Sequence, residues 1–201
     1  MKKLNTKQIA FVLMMGALGN VLFIISSLAG NISAEIALDF SLIAALIAGF
    51  YGGPTVGFAA GILAGLLPGI RFGPMGGGAW LGLIGLPLGK ALTGLAAGLI
   101  SNSLKLGEKP RSSLLGVPAT LLAYIPEAAF TYAYFSYLMP LFLDQTVGNT
   151  VIIAILLKAT AEVIIMSVII SALMGNKGFN DFVRTYFSTK RTTSEVTTAE
   201  K

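Results

Sequence analysis

Long apolar runs follow one another along almost the whole chain, separated by short segments that collect glycine, proline and charge. About 20 apolar residues cross a bilayer. On that measure the pattern predicts six spans, at 8–29, 34–51, 54–69, 79–101, 114–141 and 149–174. Only Gly52, Gly53 and Pro54 separate the second span from the third, and the third is short. The opening MKKLNTKQ runs into apolar sequence of spanning length, with no small-residue cleavage site after a short core. It is therefore expected to lead into the first transmembrane helix and not to be a cleaved signal. The end of the chain, TKRTTSEVTTAEK, is polar and has no apolar period. The expected organisation is a single six-helix transmembrane domain over residues 1–176 and a disordered, polar cytoplasmic tail over 177–201.

Composition strengthens this reading. Hydrophobic residues make up 55% of the 201 positions and charged residues only 11%, where a soluble domain carries about 25% charged residues. The expected fold class is an all-α integral membrane protein. The chain has no cysteine and no histidine. Thiolate chemistry, the commonest general base and the commonest metal ligand are all missing. No metal, no cofactor and no enzymatic activity are expected. Ser167 and Ser171 have no histidine to activate them. The stretch GLPLGKAL, Gly85 to Leu92, only imitates a phosphate-binding loop: its spacing is one residue short and Ala91 follows the lysine.

Basic residues give the orientation. Lys2, Lys3 and Lys7 precede the first span. Lys105, Lys109 and Arg111 fall between the fourth and fifth, and Lys177, Arg184, Lys190, Arg191 and Lys201 follow the last. Six spans place all three groups on one side, so both termini are expected in the cytoplasm of a cell-membrane protein. The basic balance reflects topology, and nucleic acid is not an expected partner. Arg71 is the cation expected on the outer side.

Four ionisable residues lie well inside predicted spans: Lys90, Glu127, Lys158 and Glu162. Each costs roughly 2.5–3.5 kcal/mol on insertion scales. Lys158 and Glu162 are one helical turn apart and share a face. Two readings stay open: a neutral structural network, or a polar pocket for a solute. Phe130, Tyr134 and Tyr137 lie on the same helical stripe as Glu127. Asn31 and Ser33 lie between the first two spans, with Glu35 and Asp39 just after; Asp39 also suits a helix N-terminus. The segment IRFGPMGGGAW, Ile70 to Trp80, is too glycine-rich for a helix and could fold over the outer mouth. Trp80 fits either an interface anchor or a ligand contact. The candidate solute contacts are Lys90, Glu127, Lys158, Glu162, Arg71, Asn31, Phe130, Tyr134 and Trp80.

Glycine recurs at 49, 53, 57, 61, 65 and 69. In lipid, small residues four apart let helix backbones approach closely. Gly57, Gly61 and Gly65, with Gly16 and Gly19 on the first span, fit either packing inside the bundle or a flat surface for a membrane partner.

The segment ALDFSLIAALIAGFYGGPTVGFAAGILAGLL, residues 37–67, resembles the second and third helices of the substrate-binding S components of energy-coupling factor (ECF) transporters. The acidic start of an apolar helix, the Phe-Tyr-Gly-Gly-Pro turn and the glycine-rich helix occur in the same order. The resemblance extends over roughly residues 8–176. It implies six helices, uptake of a small water-soluble nutrient such as a vitamin, and partnership with a transmembrane T component and two cytoplasmic ATPases. It puts helices one to three, and so Gly57, Gly61 and Gly65, on the partner side. Helices four to six, with Lys90, Glu127, Lys158 and Glu162, fall on the solute side. The chain departs from the family in its first helix, where Gly16, Ala17 and Gly19 do not give an A-x-x-x-A spacing. The mixed charges suggest a zwitterionic or anionic solute with an apolar body. The alternative function is a stand-alone, ion-coupled secondary transporter.

Overall fold

Apolar sequence, proline and glycine dictate where each helix starts and stops. A computed structural model describes residues 4–29, 38–106 and 112–187. Those residues form helices and no strands: α1 Thr6–Ala29, α2 Leu42–Gly52, α3 Pro54–Ala64, α4 Leu66–Phe72, α5 Ala79–Leu104, α6 Ser112–Ala133, α7 Met139–Leu143, α8 Asn149–Gly175 and α9 Lys177–Phe187. A π-turn, Tyr134–Leu138, joins α6 to α7. Five stretches are long and apolar enough to cross a membrane: Thr6–Leu28, Pro54–Phe72, Ala79–Leu104, Ser113–Leu143 and Asn149–Gly175.

The predicted second span is shorter than expected. Helix α2 has 11 residues, about 16 Å of rise, which is half of a hydrocarbon core. Its start is delayed by a polar turn. The Asp39 carboxylate accepts hydrogen bonds from the Ser41 N–H at 2.9 Å and the Ser41 hydroxyl at 2.5 Å. Every residue from Leu42 to Phe50 is buried. A helix that is apolar all round belongs in the centre of the protein, and α2 lies there. Gly53 then adopts φ +88°, a conformation suited to glycine, and Pro54 opens α3 at its first position.

The third span is bent. Pro68 has no N–H and its ring would crowd the carbonyl of Ala64. The helix breaks at Gly65, between α3 and α4. Asn20 of α1 repairs the break: its side-chain amide donates to the Leu63 carbonyl at 2.8 Å, and its side-chain oxygen accepts from the Leu67 N–H at 3.0 Å. These are the two groups that an unbroken helix would pair. Asn20→Leu leaves both buried in apolar surroundings, where each unsatisfied polar group costs about 1–3 kcal/mol. A lowered thermal unfolding midpoint of the purified protein is expected; an unchanged midpoint would show that the break needs no bridge.

The glycine ridge faces inward. A Cβ on Gly57 would run into the Gly94 carbonyl of α5, one on Gly61 would lie 2.6 Å from the Lys90 carbonyl oxygen and the Ala91 Cα, and one on Gly65 would overlap Pro87. Gly16 and Gly19 likewise meet Leu63 and Ala64 across the α1–α3 contact. The space beside each is taken up within the chain, by backbone at Gly57 and Gly61, by Pro87 at Gly65, and by Leu63 and Ala64 at Gly16 and Gly19, which fits packing inside the bundle, one of the two readings of the spacing. Close approach of α3 to α5 is what the spacing provides.

Two further expectations change. Ile70 to Phe72 of the glycine-rich segment complete α4, and only Gly73–Gly78 forms the turn before α5. The polar tail begins as helix α9, whose Phe179, Val183, Tyr186 and Phe187 recur at helical spacing. Tyr186 and Phe187 pack on Phe11, with ring centroids 6.0 and 5.1 Å away, and the Tyr51 hydroxyl donates to Asn180 at 3.0 Å. Residues 188–201 lie outside the described residues.

Candidate functional site

Helices α5, α6 and α8 carry the charges predicted from the sequence, and between them lies a cavity of about 690 Å³. Its walls come from one face of each helix. Gly85, Gly89 and Lys90 face it from α5, Tyr124, Glu127 and Phe130 from α6, and Val151, Ile155 and Lys158 from α8. Tyr134 of the π-turn adds a further wall. The turn after α4 and the segment 145–148 border it at one end, with Arg71 and Gln145 among the polar groups. The size suits a small organic molecule.

Glycine on α5 makes the room. A Cβ on Gly89 would stand 3.4 Å from Glu127 Cγ and 3.6 Å from a Phe130 ring carbon. A Cβ on Gly85 would lie 2.6 Å from the Tyr134 ring. The aromatic rings of α6 and the π-turn therefore lie directly over the α5 backbone. Phe130 and Tyr134 have ring centroids 6.5 Å apart.

Four of the charges at the cavity form two ion pairs. Lys90 Nζ meets Asp39 Oδ2 at 2.7 Å and Lys158 Nζ meets Glu162 Oε2 at 3.0 Å. The Asp39 N–H donates to Glu162 Oε1 at 2.8 Å, which links the two pairs across α2, α5 and α8. Glu127 makes no ion pair with a described residue. It accepts one hydrogen bond, from the buried Thr93 hydroxyl at 2.5 Å. Lys90 attracts it electrostatically while forming its direct contact with Asp39.

The structure brings together Lys90, Glu127, Lys158, Arg71, Phe130 and Tyr134 on the cavity wall. Glu162 stands behind the wall, buried, as the partner of Lys158. Arg71 stacks its guanidinium 6.0 Å from the ring centres of both Phe23 and Phe72. Asn31 lies outside the described residues. Trp80 does not reach the cavity. It is half exposed and packs edge-on against Phe142, with centroids 5.8 Å apart, which fits the interface anchor of its two readings. Trp80→Phe is accordingly expected to leave solute retention by the purified protein unchanged. A loss of more than about tenfold in affinity, or 1.4 kcal/mol, would put the indole back in the site.

Tyr137 also leaves the stripe. It is 64% exposed and meets Tyr132 edge-on. The π-turn is the reason: its wider i→i+5 bonding shifts the helical register after Tyr134. Sequence reasoning missed Asp39 as a partner of Lys90 and Thr93 as the donor to Glu127. The signal for Thr93 was present, since it stands one turn from Gly89 and Lys90 on a span otherwise poor in polar groups.

Together these features define a class: a chain whose described residues form helices without strands, compatible with a multi-pass membrane protein, around a charged and aromatic cavity. Comparison with protein-family models, with curated proteins and with solved structures finds no match to this chain.

Proposed function

We propose that the chain is the membrane-embedded, solute-binding S component of an ECF-type uptake transporter, with six membrane segments and both termini in the cytoplasm of the cell membrane. The cavity among α5, α6 and α8 carries this reading. Intramembrane charges on a cavity wall mark a solute path more often than a scaffold, and this cavity has cationic, anionic and aromatic walls. The order of motifs over residues 37–67 supports the family. On this reading α2 is the half-length second segment. The chain takes a small water-soluble nutrient such as a vitamin from outside and delivers it inward with a T component and two ATPases. The partner contact no longer rests on Gly57, Gly61 and Gly65, which are used within the bundle.

Affinity purification from the native membrane is the test. The expected result is co-purification with a transmembrane T component and two ATPases, and a small molecule released on denaturation. Solute uptake by the chain alone, in liposomes without ATP and driven by a proton or sodium gradient, would overturn the proposal in favour of a secondary transporter.

A further inference from the structure

The cavity also discriminates between solute charges, given the solute-binding reading above. Apart from Arg71 near the turn after α4, the charged side chains at the cavity are Asp39, Lys90, Glu127 and Lys158 on its wall and Glu162 behind Lys158. Three are carboxylates and two are ammoniums. Each ammonium is already in direct contact with a carboxylate. An anionic group entering here meets three carboxylates, and it competes with Asp39 for Lys90 or with Glu162 for Lys158. A cationic group breaks no pair, because the Glu127 carboxylate holds only the Thr93 hydroxyl.

The surroundings of Glu127 suit a cation as well. Tyr124 and Phe130 line the cavity on the same helix, and Tyr134 follows. Aromatic faces attract ammonium and quaternary nitrogen centres, most strongly when water is excluded. Tyr134 is only 4% exposed, and its hydroxyl has no hydrogen-bond partner among the described residues.

We infer that the solute carries a positively charged nitrogen centre, and that Glu127 binds this centre against the rings of Tyr124, Phe130 and Tyr134. An anionic group elsewhere on the same molecule is compatible with this, because the discrimination acts at the base.

The full-length protein in detergent tests this with three probes: choline, its uncharged carbon isostere dimethylbutanol, and benzoate. Thermal unfolding is followed as each is titrated. Choline is expected to protect at a concentration about tenfold or more below that of dimethylbutanol and below that of benzoate. Glu127→Gln keeps the side-chain shape and the Thr93 hydrogen bond, and is expected to remove the preference for choline. Phe130→Ala, on a partly exposed ring, is expected to weaken choline about tenfold and supplies a second reading if the first variant does not fold. Equal protection by choline and dimethylbutanol, or a preference for benzoate, overturns the inference and leaves the cavity as a solute site. If no probe protects, the inference falls. If in addition no small molecule is released on denaturing the protein purified from its own membrane, the solute-binding reading falls with it.

Discussion

Gly61→Leu is expected to abolish both the stable fold and the solute site. Even the first atom of a new side chain has no room: a Cβ would stand 2.6 Å from the Ala91 Cα and from the Lys90 carbonyl oxygen. Those are backbone atoms, so no rotamer change relieves the overlap. Helix α5 has to move away from α3. Overpacking of a close-packed interior costs typically 1–3 kcal/mol when side chains can yield, and more than about 3 kcal/mol is expected where only backbone can. Alanine in place of Gly61 gains about 1 kcal/mol of helix propensity, which is too little to offset the same contact. The displaced backbone is that of Lys90, so its reach to Asp39 changes too. Thermal unfolding of the purified variants gives the measure. Gly77→Ala is the control, because a Cβ in that exposed turn meets only the Gln145 side-chain oxygen, at 3.9 Å, and its midpoint should match the parent. Normal stability and solute retention in Gly61→Leu would show that α3 and α5 are not held at this distance, and would return the ridge to the role of an external surface.

The direction of the ridge is a case of what one sequence contains and omits. Spacing alone establishes that Gly57, Gly61 and Gly65 share a helix face. It does not say which neighbour fills that face, because a bundle helix and a partner helix require the same small residues. The apolar runs were legible for a simpler reason: length and hydropathy are properties of one segment, and five of the six predicted spans correspond to spanning stretches. The second does not, because Asp39 and Ser41 form a polar turn inside an otherwise apolar run. Helix α9 was hidden by composition, since lysine, asparagine and aspartate interrupt its apolar stripe. At the site, Lys158 with Glu162 could be read at a spacing of four residues. Asp39 with Lys90 could not, because 51 residues separate them and only the folded bundle brings them together. Tyr137 was misplaced because a π-turn changes the helical period without a distinct residue signature.

The Asp39–Lys90 pair yields the second large effect. Lys90→Met is expected to destabilise the protein by about 3–5 kcal/mol, the usual result of stranding one half of a buried ion pair. Both side chains are largely shielded, with exposures of 6% for Lys90 and 15% for Asp39. Without Lys90, Asp39 keeps its bonds from Ser41 but loses its counter-charge, and it lies beside Glu162 through its own N–H. Three carboxylates then share the base with Lys158 alone. Asp39→Asn should be milder, because the amide still accepts from Ser41 and its loss leaves Lys90 next to Glu127 as a substitute partner. In that variant Lys90 is drawn toward Glu127, so a cation at Glu127 meets competition and choline protection should weaken. The double variant, Asp39→Asn with Lys90→Met, removes both charges and should recover a large part of the stability lost in Lys90→Met alone, as neutral replacement of buried pairs often does. A double-mutant cycle on thermal or denaturant unfolding measures the coupling. Additive effects across the cycle would mean that the two residues act independently, and that the turn before α2 is held by Ser41 without help from α5.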